Sequence, residues 1–196
     1  MLKVIAAALS LLGVSALHAD FLGASACISH YFTLKNGNMF KVDGRFEHFI
    51  PIAPNGRAFI EKATDPGLNF ERMVGFGYYE ALDNGTVSLD IGGGLSRYTF
   101  KTPRTTHTDS ATSLMPTYMA EAVLFEDQPI HYYGRFSKGG SLLGSTAVRD
   151  IEVGIRVVMA RLALIELGYR DQRLTLAQDE PNIDMKGLVL SYGLKF

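Results

Sequence analysis

The stretch "GLVLSYGLKF", residues 187–196, is the strongest constraint in the chain. Leu188, Leu190, Tyr192, Leu194 and Phe196 fall on one parity, and Gly187, Val189, Ser191, Gly193 and Lys195 on the other. Successive side chains of a strand point to opposite faces, so one face is uniformly apolar and the other mostly small or polar. "KVDGRFEHFI" repeats the pattern with more charge. Lys41, Asp43, Arg45 and Glu47 point one way, with Phe49 the exception, while Val42, Gly44, Phe46, His48 and Ile50 point the other. A soluble sandwich would bury the apolar parity. A lipid-embedded barrel would turn it outward and seal the charges inside.

Ten such segments can be drawn, at about 21–32, 41–50, 57–63, 70–80, 86–100, 116–125, 130–138, 146–158, 161–174 and 184–196. "PIAPNG", "ALDNG" and "EDQP" are compact separators whose Pro, Asn-Gly and Asp-Asn set tight turns. "TLKNGNM", "TDPGLN", "KTPRTTHTDSATSLM", "KGGSLLGS" and "LAQDEPNI" are generally longer and more polar. Alternating short and long connections with an even strand number characterise outer-membrane barrels. The expected fold is therefore all-β: a closed antiparallel transmembrane barrel of ten strands, with eight as the alternative and both termini in the periplasm. The weakest joint is "VVMARLAL", which has neither Gly nor Pro to mark a turn. Around it, "AVRDIEVGIRVVMARLALIELGYR" could form one amphipathic helix. Ile151, Val153, Ile155 and Val157 alternate with Asp150, Glu152, Gly154 and Arg156, and the β-branched content favours two strands.

The beginning of the chain fixes the expected compartment. Lys3 precedes an apolar run from Val4 to Val14, broken by Ser10, and small residues lead to Ala19. This is the pattern of a secretory signal at residues 1–19, leaving 20–196 as the barrel, with cleavage after Ala16 as the alternative. The run is too short to span a membrane as a helix, and no later apolar run of that length follows. Lys and Arg total 19 against 20 Asp and Glu, a balance that gives no reason to expect a nucleic-acid partner. Cys27 is the sole cysteine, so no intramolecular disulfide is available. Without a Leu three places before it, Cys27 is also a poor lipoprotein cysteine.

A strand in lipid must satisfy every backbone group by closed pairing, so the last strand has to meet the first. The ending resembles the C-terminal signal of bacterial outer-membrane proteins, carried here by Leu190, Tyr192, Leu194 and Phe196. That resemblance implies recognition by the barrel-assembly machinery. "SLDIGGGLSRY", "VRDIEVGIRVVMARLALIELGYR" and "LVLSYGLKF" together resemble the YfaZ-type family of small Gram-negative outer-membrane proteins. The likeness covers mainly the second half of the mature chain. It departs at Leu162, about where the family has a turn-marking Pro. It implies an outer-membrane barrel and carries over no catalytic residue.

With the apolar parity outward, the expected lumen set is Lys41, Asp43, Arg45, Glu47, Arg57, Glu61, Glu71, Asp90, Glu121, Arg135, Asp150, Glu152, Arg156, Glu166 and Arg170. Both signs are interspersed, and unpaired burial would cost several kcal/mol per ion, so these charges are expected to pair across strands. Two readings follow: a polar plug that holds the barrel in shape, or a narrow pore for water or small solutes. Gly92–Gly93–Gly94 lies inside a strand pattern and lacks the Lys-Ser/Thr of a phosphate loop, so it is read as a bend or a close approach of backbones.

Catalysis, for instance on lipid, would need a nucleophile beside a base. "RTTHTDSATS" gathers His107, Asp109, Ser110 and Ser113, but a triad is defined by geometry rather than by nearness in sequence. No His-x-Ser strand motif like that of a lipid A deacylase is present, and no catalytic residue is assigned. His30, His48, His107 and His131 are scattered without zinc spacing, so no metal or cofactor is expected. His48 lies on the lipid-facing parity near a periplasmic turn. The expected partners are outer-membrane lipid and lipopolysaccharide, which Lys101, Arg104 and His107 could meet from a loop, and the assembly machinery during biogenesis. A soluble lipocalin-like binder, with the apolar parity around a ligand, is the alternative fold.

Overall fold

The computed structural model describes residues 22–33, 38–48, 52–65, 68–101, 111–126, 128–140, 147–159, 163–175 and 182–195. Ten strands follow one another: β1 (Leu22–Thr33), β2 (Asn38–His48), β3 (Asn55–Asp65), β4 (Leu68–Asp83), β5 (Val87–Lys101), β6 (Ala111–Leu124), β7 (Ile130–Gly140), β8 (Ala147–Met159), β9 (Ala163–Thr175) and β10 (Ile183–Lys195). Each pairs antiparallel with its sequence neighbours, and β10 pairs with β1 to close the barrel. The disputed segment is two strands: β8 and β9 are in register from Ala147↔Thr175 to Met159↔Ala163. The residues between them, 160–162, lie outside the described set, as do residues 1–19 and Phe196.

Closure joins the two ends of the described chain. Ile28 stands opposite Tyr192, His30 opposite Leu190 and Ala26 opposite Leu194, so neither β1 nor β10 presents a free edge there. In the β4–β5 turn, Asn84 Oδ1 accepts from the amides of Thr86 and Val87 at 3.1 and 2.8 Å, and Gly85 takes φ 76°. Asn-Gly performs its expected turn role.

Two expectations about the connections need correction. "TDPGLN" is no long loop: β3 and β4 pair up to Asp65↔Leu68, leaving only 66–67 between them. The strands also extend into "KTPRTTHTDSATSLM", β5 to Lys101 and β6 back to Ala111. Backbone pairing thus continues past the point where side-chain alternation fades, because the ladder needs only amides and carbonyls. Pro116 fits inside β6 since pairing with β7 begins only at Thr117↔Gly139, as suits a residue with no N–H to donate.

The polarity of the wall is inverted relative to a water-soluble barrel. Phe46 is 44% exposed and Val153 52%, whereas the Arg45 side chain between Phe46 and Gly44 is only 15% exposed. Ile28, Ile60, Ile91, Leu95, Ile155, Leu167 and Leu188 extend the apolar exterior around the barrel. So continuous an apolar surface belongs against hydrocarbon. Phe46, Tyr79, Tyr132 and Tyr192 lie outside, within a few residues of the end that carries the compact turns. The lipocalin-like alternative, which needs this parity inside, does not fit.

Candidate functional site in the barrel lumen

The lumen divides into three tiers along the barrel axis. At the end where β1 leads to β2, β5 to β6 and β9 to β10, it is filled by Tyr31, Met39, Phe70, Tyr98, Met115, Val148, Leu174, Met185 and Val189, each 0–3% exposed. This apolar cap was not expected. Its residues sit on the inward parity, where the alternation suggested polar or small side chains. Lipid and a dry lumen both accept apolar side chains, so hydrophobicity alone cannot say which face a Phe or Met takes.

Beneath the cap lies a belt of charge in two linked groups. In the first, Arg170 of β9 grips Asp150 of β8 with Nε at 2.6 Å and reaches across the barrel to Glu61 of β3 at 2.9 Å. Arg72 of β4 donates to the same Asp150 at 3.1 Å and to Ser137 Oγ at 3.2 Å. Aromatic faces complete the desolvated setting: the Arg170 guanidinium lies 4.4 Å from the Tyr31 ring, and that of Arg72 lies 5.0 Å from Phe59.

The second group centres on Glu121 of β6, whose side chain is fully buried. It accepts from Arg57 at 2.8 Å, Arg156 at 3.0 Å and Arg135 at 3.1 Å, and from Arg45. Asp43 holds Arg57 through bonds of 2.6–3.1 Å and also pairs with Lys41 at 3.2 Å. Glu166 binds Arg135 at 2.6 Å and Arg156 at 2.8 Å, while Glu152 accepts from Arg135 at 2.9 Å and from Tyr133 at 3.0 Å. Arg45 also lies 3.7 Å from Asp90, and Glu47 accepts from Tyr78 at 3.3 Å. Charged residues assigned inward are thus brought together, with one exchange. Glu71 faces outward, exposed, and stands opposite Lys62; its neighbour Arg72 is the buried group. The sequence holds a cue to this arrangement. On β5, Gly92 and Gly94 stand opposite Tyr78 and Phe76 of β4, and a Cβ at Gly94 would lie 1.9 Å from the Gly75 carbonyl oxygen. The close approach read from this glycine run is present, and the β4 parity shared by Phe76, Tyr78 and Arg72 turns inward beside it.

The third tier is hollow. A cavity of about 1080 Å³ occupies the compact-turn end, lined among others by Cys27, Arg45, Asp90, Glu126, His131 and Glu166. His48 also borders it, and its Nε2 lies 3.0 Å from the Pro54 carbonyl, close to the β2–β3 connection. His107, Asp109 and Ser110 fall outside the described residues, and Ser113 lies in β6. Among the described residues, no group of three or more His, Cys, Asp or Glu is placed to hold a metal ion. Of the assembly signal, Tyr192 and Leu194 are 54% and 45% exposed on the outer face, and Leu190 shares their parity.

No family model matches the chain, and no curated protein matches it in sequence. Solved structures do. A bacterial polysaccharide outer membrane secretin is similar over 90% of this chain, with TM-score 0.47 and 11% identity, and the match spans 66% of that protein. The N-terminal β-barrel domain of Pseudomonas aeruginosa OprF matches 89% of this chain and 96% of its own, with TM-score 0.41 and 8% identity. Neisserial surface protein A matches 90% and 96%, with TM-score 0.36 and 12% identity. These likenesses concern the fold.

Proposed function

We propose that this chain is an integral protein of the bacterial outer membrane that serves a structural or surface-interaction role through a closed lumen. In this reading it is exported by a cleaved signal and delivered to the assembly machinery by its last strand. Its termini and hollow end then face the periplasm, and it performs no turnover chemistry. The YfaZ-type resemblance agrees with that assignment. The exterior supports membrane residence, since so much apolar surface has no place in water. The observation that carries the closed lumen is the stack of cap on belt. Tyr98, Met115 and Leu174 are each 0% exposed, directly above arginines locked to carboxylates contributed by several strands. A solute entering the cavity from the compact-turn end meets that stack. In planar bilayers the purified protein is expected to give no steady conductance; sustained, reproducible current steps would overturn the closed-lumen reading. The cavity favours the pore as the second reading, and the same recording decides between them.

A further inference from the structure

The outer wall carries an uneven ring of charge near the capped end. On β7, β8 and β9, Lys138, Arg149 and Arg173 are direct cross-strand partners: Lys138 stands opposite Arg149, and Arg149 opposite Arg173. Directly opposed side chains have Cβ atoms about 5 Å apart, and like charges there repel. Nearby carboxylates answer only part of this charge. Asp184 holds Arg173 at 2.7 Å; Asp171 holds Lys186 at 3.0 Å and reaches Arg149 at 4.0 Å. Among the described residues Lys138 has no ion pair. Elsewhere on the ring, Lys62 of β3 faces Glu71 of β4, cation against anion. The row on β7–β9 lacks that cross-strand match. Phe136, Ile151, Tyr169 and Leu188 are exposed next to it on the same face, toward the compact-turn end. The row thus lies at the edge of the apolar band, where hydrocarbon gives way to lipid headgroups.

We infer that Lys138, Arg149 and Arg173 form a binding site for the phosphates of a bisphosphorylated glycolipid, the lipid A part of lipopolysaccharide, in the outer leaflet. The inference rests on the orientation proposed above, with the capped end outward. Guanidinium groups match phosphate oxygens bidentately, and the acyl chains would lie over the neighbouring apolar residues. Three cations on adjacent strands span roughly 10 Å, two strand spacings. That width suits two phosphates on one molecule better than the single phosphate of a phospholipid.

The test uses the folded full chain in detergent, with bound lipid counted by native mass spectrometry. Bisphosphorylated lipid A, monophosphorylated lipid A and phosphatidylglycerol are the probes. Wild type is expected to retain the first most tightly. The Lys138→Gln/Arg149→Gln/Arg173→Gln variant should lose on the order of a hundredfold in affinity for it, each surface cation attracting anionic headgroups. Lys62→Gln is expected to change nothing. Equal binding of bisphosphorylated lipid A by wild type and the triple variant would overturn the site. Equal retention of phosphatidylglycerol by wild type would overturn the glycolipid assignment. If the triple variant fails to fold, Arg149→Gln alone carries the test, with an expected loss of about fivefold. A tag inserted within 141–146 checks orientation separately. A tag unreachable on intact cells sinks the orientation, whereas a reachable tag with unchanged lipid binding sinks the site alone.

Discussion

The two halves of the lumen solve the same filling problem differently. At the capped end, Tyr31, Phe70, Tyr98 and Leu174 pack apolar surface into the tube, each 0–1% exposed. At the other end the wall is lined by Arg45, Asp90, Glu126 and His131 around about 1080 Å³ of space. Between them, the belt ties strands across the barrel through ions that are costly to bury singly and tolerable only as a set. The contrast separates sealing from bracing: the cap excludes water by volume, and the belt fixes the cross-section by specific bonds.

The contrast can be broken most forcefully at its centre. Glu121→Ala leaves Arg45, Arg57, Arg135 and Arg156 without their shared acceptor. Removing one partner from a buried ionic network costs about 3–5 kcal/mol, so urea unfolding in lipid vesicles should show a loss of that order. Next is Leu174→Ala in the cap, where a deleted buried side chain costs about 2–5 kcal/mol through transfer and cavity. A value near zero would mean that the cap is loosely packed. A pair of enlargements sharpens the comparison. Ala63→Leu in the cap, 2% exposed, should destabilise by about 1–3 kcal/mol through overpacking. Ser25→Leu, on the wall of the hollow, should stay within about 0.5 kcal/mol because space is available. Equal penalties at the two sites would erase the distinction between filled and empty halves.

Much of the architecture was legible because lipid imposes a binary rule on the wall. Period two placed Val153 and Tyr192 outside and Arg45 and Glu121 inside, and tight-turn residues such as Asn84–Gly85 marked a boundary. The rule fails where neighbours are both charged or where both parities are greasy. Glu71 and Arg72 are adjacent, so charge alone could not decide which enters, and the glycines of β5 were the better cue. Met39, Met115 and Met185 are apolar and inward, a placement that depends on depth along the barrel rather than on residue type. "TDPGLN" has loop composition, yet only 66–67 separate β3 from β4, since hydrogen-bonded ladders extend beyond the membrane's demands. The cation row on β7–β9 needed the register, because Lys138, Arg149 and Arg173 are distant in sequence.

The Glu121 hub has a consequence for how the molecule is built. Its four guanidinium partners come from β2, β3, β7 and β8, so neither hairpin containing β6 can neutralise all of them by itself. An open, half-inserted sheet would turn those ions toward fatty acyl chains. The hub is therefore complete only once the sheet has curled far enough to bring β2, β3, β7 and β8 around β6.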